Sequence, residues 1–167
     1  YKLLTPGPLS TTDTVKKKMM TDHCTWDGDY KNITQNIRSR LLQLAHADEE
    51  NYTAILMQGS GTFGVESVIS SIVGENDTLL IISNGAYGTR MSEISKAHGI
   101  NYILYNQALQ KQPDIQEVEK ILDEHSEITH LAMVHSETTT GILNNLEPFS
   151  KICRSRNLRF IVDAMSS

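Results

Sequence analysis

The chain has 167 residues, of which 39% are hydrophobic and 21% charged. That composition fits a globular domain and excludes a collagenous, disulfide-stapled or strongly charged disordered chain. A net charge of −5 and a pI near 5.6 leave no broad basic surface, so neither nucleic acid nor an anionic membrane is an expected partner.

No apolar run approaches the roughly 20 residues that a spanning helix needs, and no charged segment followed by an apolar one opens the chain. Cys24 and Cys153 form no metal-type pair and are too few for a disulfide framework. The expectation is a cytoplasmic protein with reduced thiols and no metal. The chain opens without Met and stops shortly after an apolar strand that ends in Asp163. It therefore reads as a piece of a longer protein, because the crossover after a strand normally covers the sheet.

In chain order, Thr11-Thr12-Asp13-Thr14 before Val15–Met20 predicts a short capped helix. After a polar stretch, Ile33, Ile37, Leu41 and Leu44 form an apolar stripe on a second helix that ends near Ala47. Strands are then predicted at Thr53–Met57, Thr78–Ser83, Asn101–Tyr105, His130–Val134 and Leu158–Val162. Helices are predicted between them at Thr62–Val73, Ala86–His98, Asp114–His125 and Leu146–Arg156. Several of the strands are continuous apolar runs, the pattern of a parallel sheet covered on both faces. The expected fold is a three-layer αβα sandwich with a mostly parallel sheet.

Ligands of such sheets sit outside the carboxyl ends of the strands. Those ends carry Gln58-Gly59-Ser60-Gly61-Thr62, Asn84-Gly85-Ala86-Tyr87-Gly88, His135-Ser136-Glu137-Thr138-Thr139-Thr140-Gly141 and Asp163-Ala164-Met165-Ser166-Ser167. Gly59-Ser60-Gly61-Thr62-Phe63-Gly64 satisfies the dinucleotide fingerprint. The acid that would hold the ribose is missing, however, because the corresponding position is Ser83-Asn84-Gly85. What remains is a small-residue turn at a helix N-terminus, suited to one phosphate or to nothing beyond the turn itself.

The other exits offer what a phosphorylated, electron-poor ring requires. Tyr87 can lie against a ring face or simply pack. Thr138 to Thr140 offer hydroxyls or a locally bonded turn. Asp163 ends an apolar strand, where a carboxylate wants a cation such as a protonated pyridine nitrogen. Its plainer roles are to cap a helix beyond the strand or to bind a metal.

In order and spacing these segments resemble the class-V aminotransferases, enzymes of fold type I that depend on pyridoxal 5′-phosphate. The resemblance spans the chain, which would be part of the large cofactor domain, incomplete here. It implies that Ser60, Gly61 and Thr62 bind the cofactor phosphate, that Tyr87 stacks on the ring, that Thr138 faces the ring oxygen and that Asp163 pairs with the ring nitrogen. It also implies a homodimer, with the Schiff-base lysine beyond Ser167 and no catalytic residue in this chain.

Leu3-Leu4-Thr5-Pro6-Gly7-Pro8-Leu9-Ser10 and Asp22-His23-Cys24-Thr25-Trp26-Asp27 are similar to one branch of the family. That branch moves the amino group of 2-aminoethylphosphonate to pyruvate, giving phosphonoacetaldehyde and L-alanine. On this reading residues 1–30 border the substrate pocket, with Pro6, Gly7, His23 and Trp26 as its candidates, and residues 31–167 belong to the cofactor domain. The resemblance further implies that the Thr53–Met57 strand lies apart from the other four, beside a strand from later sequence.

Alanine–glyoxylate and serine–pyruvate aminotransferases share the cofactor residues and differ in substrate. A cysteine desulfurase would need a reactive loop cysteine that neither Cys24 nor Cys153 resembles. A nucleotide-binding dehydrogenase and a non-catalytic interaction domain are the readings outside the class.

Overall fold

The computed structural model describes residues 1–5 and 7–167. The chain divides into two compact units, Tyr1–Gln58 and Gly59–Ser167.

The first unit holds two helices. α1 (Asp13–Lys18) is capped by the Thr12 hydroxyl, which accepts the Val15 N–H. Asp13 in its first turn and Lys16 to Lys18 in its last complement the helix dipole. α2 (Gly28–Leu44) carries the predicted stripe, but Ile33, Ile37, Leu41 and Leu44 all stay exposed. Arg38 of α2 donates from Nε to the Ala54 carbonyl at 2.9 Å. Thr53–Met57 is not a strand: it pairs with no other strand among the described residues.

The second unit is the sandwich. Its elements are α3 (Gly61–Ile72), β1 (Thr78–Ser83), α4 (Ala86–Ala97), β2 (Tyr102–Asn106), α5 (Ile115–Glu124), β3 (Ile128–Val134), β4 (Ser136–Glu137), β5 (Ile142–Leu143), α6 (Glu147–Ser155) and β6 (Arg159–Asp163). The main sheet has the order β2-β1-β3-β6 and is parallel throughout. β4 and β5 form a separate antiparallel hairpin.

Alternation along each strand builds the three layers. Leu80, Ile82, Leu131 and Met133 face one side, where they pack with Val118 and Leu122 of α5 and with Phe149, Ile152 and Cys153 of α6. Leu79, Ile81, Ala132, Val134 and Ile161 face the other, with Ile69 of α3 and Met91 and Ile94 of α4. Helices on both faces bury β1 and β3, which is why those strands read as unbroken apolar runs. The parallel order also sends the β1, β3 and β6 exits to one edge.

Candidate functional site

Three exits and one helix start lie on that edge. β1 leads through Asn84-Gly85 into α4, whose second residue is Tyr87; β3 leads into the hairpin with Thr138; β6 ends on Asp163. At roughly 5 Å between neighbouring strands, the β1 and β6 exits are about 10 Å apart across β3. A Cβ built on Gly61 would lie 2.7 Å from Met165 Cε, so the start of α3 sits beside the β6 exit.

Ser60 is the N-cap of α3, and its Oγ accepts the Phe63 N–H at 3.2 Å. The Ser60 hydroxyl proton stays available, and the Gly61 and Thr62 N–H groups make no hydrogen bond among the described residues. Two free amides at a helix start, with hydroxyls on either side, are donors of the kind that favour an anion.

The Asp163 carboxylate is half-buried and accepts the Met165 N–H on Oδ1 at 3.0 Å. Among the described residues no cationic side chain reaches salt-bridge distance of it. Oδ2 is therefore open to a cationic partner. Thr138 Oγ1 donates to Ser166 Oγ at 2.6 Å, tying the hairpin to the β6 exit, and it keeps its acceptor lone pairs. Tyr87 is 37% exposed.

The six residues predicted to bind the cofactor thus lie in one unit, on one edge. The substrate-pocket candidates belong to the other unit. His23 stands 6.3 Å from Tyr30, ring to ring, Lys31 Nζ lies 5.6 Å from the exposed Trp26 ring, and Gly7 is exposed. Pro6 lies outside the described residues.

Sequence reasoning missed two buried polar arrangements that build the edge. The first is an amide pair. Asn84 Nδ2 donates to Asn144 Oδ1 at 2.8 Å, Asn144 Nδ2 returns a bond to Asn84 Oδ1 at 3.1 Å and also donates to the Val134 carbonyl at 2.8 Å. Asn84 therefore has no spare role as a ribose ligand.

The second is Glu137, which is fully buried. Its Oε2 accepts the N–H groups of Tyr87 at 3.1 Å and Gly88 at 3.4 Å. Its Oε1 accepts the Thr139 N–H at 3.3 Å and the Thr139 hydroxyl at 2.7 Å. The carboxylate fits because Gly85 has no side chain: a Cβ there would overlap Glu137 Cγ and Cδ and lie 2.6 Å from Oε2. The signal in the sequence was a single acid in an otherwise uncharged Ser/Thr run, paired with a glycine just before α4.

Two groups elsewhere have shifted acidities. Burial pushes the Cys153 thiol up to about 11. His130 lies at the opposite end of β3; burial lowers its pKa, and Asp77, 3.9 Å away, opposes that shift.

The three-layer unit thus carries two free helix-start amides and, among the described residues, an unpaired carboxylate on one parallel edge. The family model for aminotransferase class V matches residues 18–167, and the chain belongs to that family. Within it, the chain is 57% identical over 167 residues to the 2-aminoethylphosphonate–pyruvate transaminase of Lysinibacillus sphaericus (strain C3-41), covering 100% of this chain and 46% of that protein. It is 50% identical over 168 residues to the protein of the same name from Klebsiella pneumoniae, again covering 100% of this chain and 46% of the relative. The chain thus spans about half the length of these curated relatives. Among solved structures, the pyridoxamine–pyruvate aminotransferase of Mesorhizobium loti superposes with a TM-score of 0.86 at 19% identity, over 97% of this chain and 41% of that one. That likeness establishes the fold as the aminotransferase type.

Proposed function

We propose that the whole protein is a pyridoxal 5′-phosphate-dependent transaminase that moves the amino group of 2-aminoethylphosphonate to pyruvate. The observation that carries the cofactor reading is the Asp163 carboxylate, half-buried and without a cation, on the same edge as the free Gly61 and Thr62 amides. The substrate reading rests on the relatives that bear that activity as their name.

In this reading Gly61 and Thr62 bind the phosphate through their N–H groups, and the Ser60 and Thr62 hydroxyls add donors. Asp163 holds a proton at the pyridine nitrogen, where the ion pair favours the protonated ring. Tyr87 excludes water from one ring face. Thr138 orients its hydroxyl toward the ring oxygen. When bound, the cofactor would supply an electron sink for the negative charge left when the donor's amine-bearing carbon loses its proton. The protein works as a homodimer, with His23, Trp26 and the Pro6-Gly7 segment bearing on the choice of donor.

The test is made on the full-length protein. Alanine should form from pyruvate with 2-aminoethylphosphonate as donor, and far more slowly when serine is supplied instead. Asp163→Asn should lower that rate about a hundredfold or more, the scale of a severed buried ion pair. Tight binding of NADH with no response to the B6 cofactor would sink the reading.

A further inference from the structure

Glu137 is the one fully buried carboxylate among the described residues, and it touches none of the groups assigned to the cofactor through their side chains. Its four bonds all come from donors: the N–H groups of Tyr87 and Gly88 at the start of α4, and the N–H and hydroxyl of Thr139 in the hairpin. Both carboxyl oxygens therefore serve as acceptors, at a helix start whose dipole favours negative charge.

The Thr139 hydroxyl completes the arrangement. It donates to Glu137 Oε1 at 2.7 Å and accepts the Ala86 N–H at 3.3 Å. Three successive amides of α4, those of Ala86, Tyr87 and Gly88, are thus held by one carboxylate and one threonine of the hairpin. Tyr87 carries the stacking ring, and Thr138 lies between the two residues that do the holding. The chemistry joins the β1 exit to the β3 exit at the positions from which both side chains leave the backbone.

We propose that Glu137 is a positioning residue for the cofactor ring, acting through the Tyr87 backbone and the adjoining Thr138 turn. It sets where the stacking face and the ring-oxygen hydroxyl stand relative to one another. This rests on the cofactor reading above and adds to it a residue that never meets the cofactor. Coupling to Tyr87 is the property that a purely structural buried acid would lack.

The experiment uses the full-length apoprotein and pyridoxamine 5′-phosphate, whose amine forms no covalent bond with a lysine. Its dissociation constant is measured by equilibrium dialysis for wild type, Glu137→Gln, Tyr87→Leu and the double variant, with thermal melts alongside. Glu137→Gln turns an acceptor into a donor facing the α4 amides, and should weaken binding by on the order of ten- to a hundredfold. In the Tyr87→Leu background the same change should matter several-fold less, since of the two groups it positions only the Thr138 hydroxyl remains. Glu137→Asp, which keeps the charge, should recover part of the loss.

Thr139→Val removes one donor to the carboxylate and the acceptor of the Ala86 N–H, while leaving the Tyr87 and Gly88 amides bonded to the carboxylate. It gives a smaller loss with the same dependence on Tyr87 and decides the matter if Glu137→Gln does not fold. Unchanged binding in the variants, or losses that simply multiply with that of Tyr87→Leu, would overturn the proposal while leaving the cofactor reading intact. Failure of wild type to bind pyridoxamine 5′-phosphate would overturn the cofactor reading itself, and the proposal with it.

Discussion

Gly85→Ala puts the clamp under the most direct strain. The backbone at Gly85 is extended, with φ at 179°, so alanine meets no conformational penalty there. The conflict is purely one of space. The new Cβ would overlap Glu137 Cγ and Cδ, and the carboxylate is fully buried with nowhere to swing. Withdrawal would strip the acceptor from the Tyr87 and Gly88 N–H groups. A hydrogen bond to a charged group contributes about 1.5–3 kcal/mol. The bond to Gly88 is long at 3.4 Å and belongs at the low end, so the pair contributes about 3 kcal/mol. Overpacking adds about 1–3 kcal/mol, and the lower entropy of an unfolded alanine offsets about 0.4–1 kcal/mol. The net expectation is a loss of about 3–6 kcal/mol.

Gly61→Ala is the control. Its Cβ would meet the end of Met165, an exposed and flexible side chain, and alanine favours helix over glycine by about 1 kcal/mol. Stability should hold or rise slightly while phosphate affinity falls. Urea denaturation of the full-length apoprotein, followed by circular dichroism, measures both variants. A Gly85→Ala midpoint equal to that of wild type would refute the reasoning, since it would mean that the carboxylate has room to move.

Three further outcomes are expected. Alkylation mapped by mass spectrometry should label the exposed Cys24 in the native protein and reach Cys153 only on unfolding, because burial holds that thiol in its protonated form, with a pKa of about 11. Stability should fall as pH drops below about 6.5, the ordinary histidine value, because unfolded His130 takes up a proton that the buried ring resists. His130→Phe should flatten that slope between about pH 7 and pH 5. Asp77, held below its ordinary value of 3.8 chiefly by the Gly74 N–H, adds a loss in the same direction at lower pH, where its native carboxylate is finally protonated; Asp77→Asn should remove that low-pH limb from an acid denaturation curve.

The sandwich was legible because burial on both faces writes itself into composition. Leu79–Ile82 and Leu131–Val134 are apolar without interruption, and both are strands flanked by two helical layers. The candidate cofactor residues stood out because glycine, hydroxyl and acid stood at strand exits, which the structure sets along one edge. Thr53–Met57 shows where local pattern stops: its short apolar run reads as a strand, but a strand exists only through its partner, and none is present among the described residues. Glu137 marks another boundary. Between serine and threonine it reads as a solvated loop acid, and its burial is decided by donors some 50 positions away in the chain, at Tyr87 and Gly88. The β4–β5 hairpin escaped notice because each of its strands is two residues long.

The Asn84–Asn144 pair gives the edge a tie of another kind. Carboxamides carry no titratable proton and no net charge, so this link between the end of β1 and the segment after β5 is indifferent to acidity and to ionic strength. Under the proposed transamination, protons and anionic substrates pass these strand ends and repeatedly alter the local field. The two asparagines carry no net charge for that changing field to displace.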